Sequence, residues 1–207
     1  MKCTLNAVAK HFNDHIIFSG INQNIESGKN YVILGGNGSG KSTLLKTIVG
    51  GVSVSEGSIE YTFNNKIVDY KDLHKHIAFC SPYMELIEEF SFAELISFQE
   101  KFKPFQKDLN AQQILELSGL NRIGDKPIRN FSSGMKQRVK LCLAIFSNVP
   151  LLLLDEPTSN LDPKGKAWYK EILNKHAQDK TVIVASNFLE EEFPEQPIFI
   201  ELSNYKA

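Results

Sequence analysis

Gly35-Gly36-Asn37-Gly38-Ser39-Gly40-Lys41-Ser42 is the stretch from which the rest of this 207-residue chain is read. It fits G-x-x-x-x-G-K-[ST]. Asn30–Leu34, just upstream, is a short strand-like run, and a helix is expected downstream over about Lys41–Val49, ending at Gly50-Gly51. Strand, glycine loop and helix, in that order, are the setting in which such an octet holds phosphate. The glycines let the chain curl until successive backbone N–H groups point inward at phosphate oxygens. The helix N-terminus adds partial positive charge. Lys41 is suited to reach β- and γ-phosphates, and the Ser42 hydroxyl can ligate Mg²⁺. A plain flexible glycine loop is the competing reading, and the flanking strand and helix disfavour it.

Outward from the octet, residues 2–27 hold two strand-like runs around the polar turn Asn13-Asp14, and Glu56–Phe63 and His76–Cys80 read as further strands. From about Tyr83 to Asn130 the pattern turns helical, at Phe92–Phe102 and Leu109–Leu117, without β-branched runs between. A helix is expected over about Ser132–Ser147. Strand and helix then alternate again: Leu151–Leu154, helix Pro163–His176, strand Thr181–Ala185, strand Ile198–Leu202. Alternation around apolar strands argues for a parallel α/β sheet.

Leu151-Leu152-Leu153-Leu154-Asp155-Glu156 places two carboxylates at the C-terminal end of a buried strand. Open α/β sheets bind ligands at that end. Asp155 is positioned to hold Mg²⁺ through water, and Glu156 to polarise an attacking water. A solvated or capping acid pair is the alternative, and the phosphate loop upstream weighs against it.

Phe131-Ser132-Ser133-Gly134-Met135-Lys136-Gln137-Arg138 resembles the ABC signature, usually written L-S-G-G-Q before a basic stretch. With the octet upstream and Asp155-Glu156 downstream, nearly the whole chain is similar to an ABC ATPase. The resemblance implies an α/β P-loop NTPase core with a mostly parallel sheet, an antiparallel β subdomain and an inserted helical subdomain. It implies one domain over 1–207, with 1–82 and 148–207 as the core and about 83–147 as the helical part with the signature. It implies ATP and Mg²⁺ as cofactors and hydrolysis of ATP. Gly35, Asn37, Gly38, Ser39, Gly40, Lys41, Ser42 and Thr43 would bind ATP, with Ser42 and Asp155 on the metal. Phe12 falls where the family stacks an aromatic on adenine; a core aromatic on an edge strand is the equal alternative. Ser159-Asn160-Leu161-Asp162 resembles the D-loop, which contacts the opposite subunit. Ser132, at a helix start, offers a hydroxyl and free N–H groups, a second anion site on another face. One domain cannot bring both sites to one γ-phosphate, so Ser132, Ser133, Gly134 and Asp162 are assigned to the ATP of a head-to-tail partner.

Three motifs depart from the family pattern. Ser133 and Met135 replace a glycine and the glutamine of the signature. Ser81-Pro82-Tyr83-Met84-Glu85 lacks the glutamine that normally senses Mg²⁺, leaving Pro82, Tyr83 or Glu85 as replacements. Ala185-Ser186-Asn187 carries asparagine where a switch histidine is usual; its amide can donate to phosphate but carries no charge, so Asn187 joins Glu156 as a catalytic candidate.

A net charge of −1 gives no field favouring nucleic acid or an anionic membrane, and no direct nucleic-acid contact is expected. No apolar run reaches the roughly 18 residues of a spanning helix, and residues 1–10 lack a secretion-signal core. Cys3, Cys80 and Cys142 read as unpaired thiols, and the five scattered histidines show no metal spacing. The partners implied are a second ATPase subunit, identical or related, and an integral membrane permease subunit. The expected location is cytoplasmic, peripheral on the inner membrane. A non-transport ABC ATPase acting on a soluble or nucleic-acid partner is the alternative, disfavoured by the absence of long heptads, a second cassette or basic excess. A small nucleotide kinase is disfavoured by the signature. The short length resembles small export-type subunits, haem exporters included.

Overall fold

The computed structural model describes residues 1–121 and 123–205. Antiparallel strands β1 (Lys2–Phe12) and β2 (His15–Ile25) turn at Asn13. They are followed by β3 (Asn30–Leu34), helix α1 (Lys41–Ile48), β4 (Glu56–Phe63), β5 (Lys66–Ile67) and β6 (Ile77–Cys80). Helices α2 (Phe92–Glu100), α3 (Ala111–Ser118) and α4 (Ser133–Ile145) come next, then β7 (Leu151–Asp155), α5 (Pro163–His176), β8 (Thr181–Ser186) and β9 (Ile198–Glu201). One sheet is parallel, in the order β6-β7-β8-β3-β9; the other is antiparallel, in the order β2-β1-β4-β5. This is the fold the sequence predicts, a P-loop NTPase core with an added antiparallel sheet and helices.

The central strands are buried on both faces, so they read as unbroken apolar runs. The two-residue period of a strand divides them between two cores. Val32, Leu152, Leu154, Val182 and Val184 pack toward α2–α5. Tyr31, Ile33, Leu151, Leu153, Ile183 and Ala185 pack toward α1 and the antiparallel sheet. The phosphate loop after β3 and the Asp155-Glu156 pair after β7 leave the same end of the parallel sheet, with β8 between the two strands.

Caps set the helix starts more sharply than periodicity does. Ser91 and Glu94 form a reciprocal capping box at α2, as do Asn110 and Gln113 at α3. The helix expected from Leu109 therefore starts at Ala111, and the one expected from Ser132 starts at Ser133, because Asn110 and Ser132 are the caps. β5 and a 3-10 turn at Tyr70–Lys75 lay outside the sequence reading. Cys3, Cys80 and Cys142 are free and buried; burial pushes the Cys3 and Cys80 thiols up to about 12 and raises Cys142 as well. Among the described residues no helix is long and apolar enough to cross a membrane.

Candidate active site: a phosphate cradle and an outward-facing signature

β3 delivers the chain into Gly35, and the loop curls on itself, Ser39 N–H donating to the Gly36 carbonyl at 3.1 Å. Gly40 sits at φ +102, and a Cβ there would lie 2.5 Å from Ile17 Cγ2. Only glycine lets the loop pass this close to β2 in that conformation. Gly40 also precedes α1, which has no side-chain cap and no acid in its first turn. Its N–H groups and dipole are left for an anion. The buried Lys41 donates Nζ to the Gly35 and Gly36 carbonyls at 2.7 and 3.0 Å. The Ser39 hydroxyl is buried without a partner. Ser39, Lys41, Ser42 and Thr43 line a cavity of about 360 Å³ with Asn37, Glu156 and Tyr83. An orphaned hydroxyl, an uncapped helix start and a buried cation fit a polyphosphate.

Asp155 ends β7, 1% exposed. It accepts from Ser42 Oγ at 3.0 Å and Ser81 Oγ at 3.3 Å. Burial raises its carboxyl above the ordinary range; the Ser42 hydrogen bond offsets this and the neighbouring Glu156 carboxylate adds to it. A carboxylate beside a hydroxyl is a hard-oxygen set of the kind Mg²⁺ uses, completed by substrate phosphates and water. Among the described residues no cluster of three or more His, Cys, Asp or Glu forms a metal cage. Glu156 takes φ +42, its N–H donating to the Ala185 carbonyl at 2.9 Å. A left-handed conformation at a non-glycine residue costs about 1–3 kcal/mol. Here it turns the chain off the strand end while Glu156 lines the cavity.

Asn187 follows β8, and its Nδ2 donates to Asn37 Oδ1 in the phosphate loop at 3.1 Å. Ser81 was missed in sequence: a serine after a strand carries no signal until β6 pairs with β7 and sets it against Asp155. Tyr83 lines the cavity, whereas Glu85 is exposed and outside its lining. Phe12 stands at the end of β1, 51% exposed, with the Lys10 ammonium 4.6 Å above its ring; it does not line the phosphate cavity.

The signature residues lie outside that cavity. Ser132 caps α4, its Oγ accepting from Met135 N–H at 3.3 Å, and Ser132 and Ser133 are exposed. A Cβ on Gly134 would lie 2.9 Å from the Asn160 carbonyl, so glycine lets α4 approach the turn after Glu156. The buried Gln137 adds a tie, donating to the Pro157 carbonyl at 2.9 Å. Asp162 caps α5 by accepting from Gly165 N–H at 2.7 Å.

The sequence family described as ABC transporter matches residues 18–159, more than half of the chain. The lantibiotic transport ATP-binding protein SrtF of Streptococcus pyogenes is 32% identical over 88% of this chain and 78% of its own. The energy-coupling factor transporter ATP-binding protein EcfA1 of Thermotoga maritima is also 32% identical, over 92% of this chain and 74% of its own. The ATP-binding cassette MJ0796, solved as a dimer in a post-hydrolysis state bound to ADP and Pi, superposes with a TM-score of 0.79. It is 26% identical, over 97% of this chain and 94% of that one. The cradle, the buried acid and these similarities agree: the chain belongs to the ABC transporter family and is one of its ATP-binding, ATP-hydrolysing domains.

Proposed function

We propose that this domain pairs head to tail with a second copy or a related chain, sandwiches ATP, and drives transport through a separate membrane subunit. The observation that carries this reading is the separation of two anion-binding helix starts on one chain. The start of α1 lines the phosphate cavity, and the start of α4 does not. A γ-phosphate held by Lys41 is then reached by Ser132, Ser133 and Gly134 from another chain, with Asp162 at the same contact. Gly35 and Asn37 through Thr43 cradle the phosphates, and Phe12 stacks on adenine. Ser42 and Asp155 hold Mg²⁺, which when bound neutralises phosphate charge. Glu156 polarises the attacking water, and Asn187 donates its amide to the γ-phosphate. Residues 1–82 and 148–207 act as the nucleotide-holding core, and about 83–147 as the helical part that presents the signature.

Transport is supported by the names of the relatives and by the surface beside Ser81. Tyr83, Met84 and Ile87 are exposed there, an apolar group suited to a helix of a membrane subunit on the cytoplasmic face of the inner membrane. The test is recovery of a tagged chain from detergent-solubilised membranes. The wild type is expected to bring down a membrane protein; Met84→Glu and Ile87→Glu are expected to lose it. Their soluble ATPase rates should stay within about twofold, as for surface changes of about 0.5 kcal/mol or less. A wild-type chain found free of any membrane protein would favour the non-transport reading.

A further inference from the structure

Glu190-Glu191-Glu192 looks like a solvated acidic run, and its first two members are exposed, Glu191 pairing with Lys166 at 2.8 Å. Glu192 is 0% exposed. Its Oε1 accepts from the Thr158 hydroxyl at 2.7 Å and the Thr158 N–H at 3.2 Å, and its Oε2 has no partner. The Tyr169 hydroxyl donates to its backbone carbonyl at 2.9 Å. Burial raises the Glu192 carboxyl above the ordinary range; the Thr158 hydroxyl and N–H pull it back, and the Glu156 carboxylate adds to the rise. For packing alone this is a poor choice of side chain. A buried carboxyl with an unsatisfied oxygen costs stability that an apolar residue of similar volume would not.

The contacts of Glu192 suggest what it is for. Thr158 lies two residues beyond Glu156, in the turn closed by Ser159 N–H donating to the Glu156 carbonyl at 3.0 Å. On its other side the turn is tied to α4 through Gln137 and Pro157. Glu192 itself lies five residues beyond Asn187, in a segment anchored where Leu189 N–H donates to Ser186 Oγ at 3.2 Å. One carboxyl therefore joins the turn that carries Glu156 to the segment that carries Asn187.

We propose that Glu192 is a positioning residue for ATP hydrolysis, holding the Glu156-Pro157-Thr158 turn against the Asn187 segment so that Glu156 stays in the cavity lining and Asn187 stays on Asn37. The proposal rests on the reading of Glu156 as the group that polarises water. It touches no substrate; it acts through Thr158. Glutamine at 192 keeps an oxygen for Thr158 and should keep most of the activity, whereas methionine keeps the volume and loses the acceptor.

The experiment compares Glu192→Gln, Glu192→Met, Thr158→Val and Glu156→Gln by steady-state kinetics, fluorescent ATP-analogue affinity and thermal melting. Glu192→Met is expected to lower kcat about tenfold or more, with KM and analogue affinity within about threefold, and Glu192→Gln to retain kcat within about threefold. Thr158→Val should lower kcat by about three- to tenfold at unchanged KM. A folded Glu192→Met protein with wild-type kcat overturns the proposal. So does a glutamine variant as impaired as the methionine one, because acceptance from Thr158 would then be irrelevant. Should Glu192→Met fail to fold, Thr158→Val decides, and wild-type kcat there overturns it; failure of both to fold makes Glu192 scaffold only and also overturns it. Glu156→Gln separates the two readings. If it still turns over, the Glu156 assignment falls and this proposal with it. If it is dead while Glu192→Met and Thr158→Val are normal, only this proposal falls.

Discussion

The starts of α1 and α4 are both helix N-termini read from sequence as anion sites, yet the chain finishes them in different ways. At α1 no side chain caps the helix, Lys41 is buried, and Ser39 Oγ waits without a partner. At α4 Ser132 already caps Met135 N–H, and Ser132 and Ser133 are exposed. The first start lines a cavity formed by its own chain. The second is a capped surface, to which the proposed pairing would bring a phosphate from another molecule. A sequence motif thus identifies a chemical preference, and the local hydrogen bonding shows how far the chain itself already satisfies it.

The sharpest way to break this contrast is Lys41→Ala. It removes a charge-assisted contact worth about 1.5–3 kcal/mol, so ATP affinity should fall about tenfold or more, and turnover should stop. Nucleotide titration and an ATPase assay check it, with a melt to account for the lost bonds to the Gly35 and Gly36 carbonyls. Retained turnover would sink the assignment of the enclosed site.

Next in size is Glu156→Gln. The amide should leave ATP bound but uncleaved and, in the presence of Mg²⁺, shift the chain from monomer to dimer in light scattering. A persistent monomer at saturating ATP would count against a homodimer, leaving a related chain as the partner.

Gly134→Ala probes the outward site together with its contact to the turn after Glu156. The added methyl would meet the Asn160 carbonyl at 2.9 Å, so α4 must shift relative to the turn after Glu156. Monomer affinity for ATP should be unchanged, whereas turnover should fall about tenfold, or 1.4 kcal/mol. Equal losses in both would show that the two helix starts are not separable.

Asn187→Ala is the smallest. Loss of a neutral hydrogen bond worth about 0.5–1.5 kcal/mol should lower turnover about three- to tenfold at nearly constant ATP affinity. Asn187→His should stay active, because imidazole can donate to the same oxygen. Full turnover and an unchanged melt for the alanine variant would take Asn187 out of the site.

The glycine octet, the apolar strands and the acid pair were legible because each is local: a run of neighbours in sequence fixes its own geometry. The helix starts were legible from periodicity to within two residues, and the capping bonds of Asn110 and Ser132 set them in the structure. Ser81 and Glu192 were not legible. Ser81 becomes informative only when the register of β6 on β7 brings it to Asp155, 74 residues away in sequence. Glu192 sits in an acidic run whose other members are solvated, and only burial against Thr158, 34 residues away, sets it apart. Phe12 shows the opposite limit: its type and position were clear in sequence, but not its half-exposed setting under Lys10.

The three buried cysteines have a practical consequence. Reagents such as maleimides attack the thiolate, and these sulfurs are both sheltered and held in the neutral form at ordinary pH. The natural chain is therefore close to a cysteine-free background for site-directed labelling. A single new cysteine at exposed Lys107, away from the nucleotide and signature residues, could carry a spin label or fluorophore without first removing the native ones. If two chains pair as proposed, distances between two such labels would follow their approach and release through a turnover cycle.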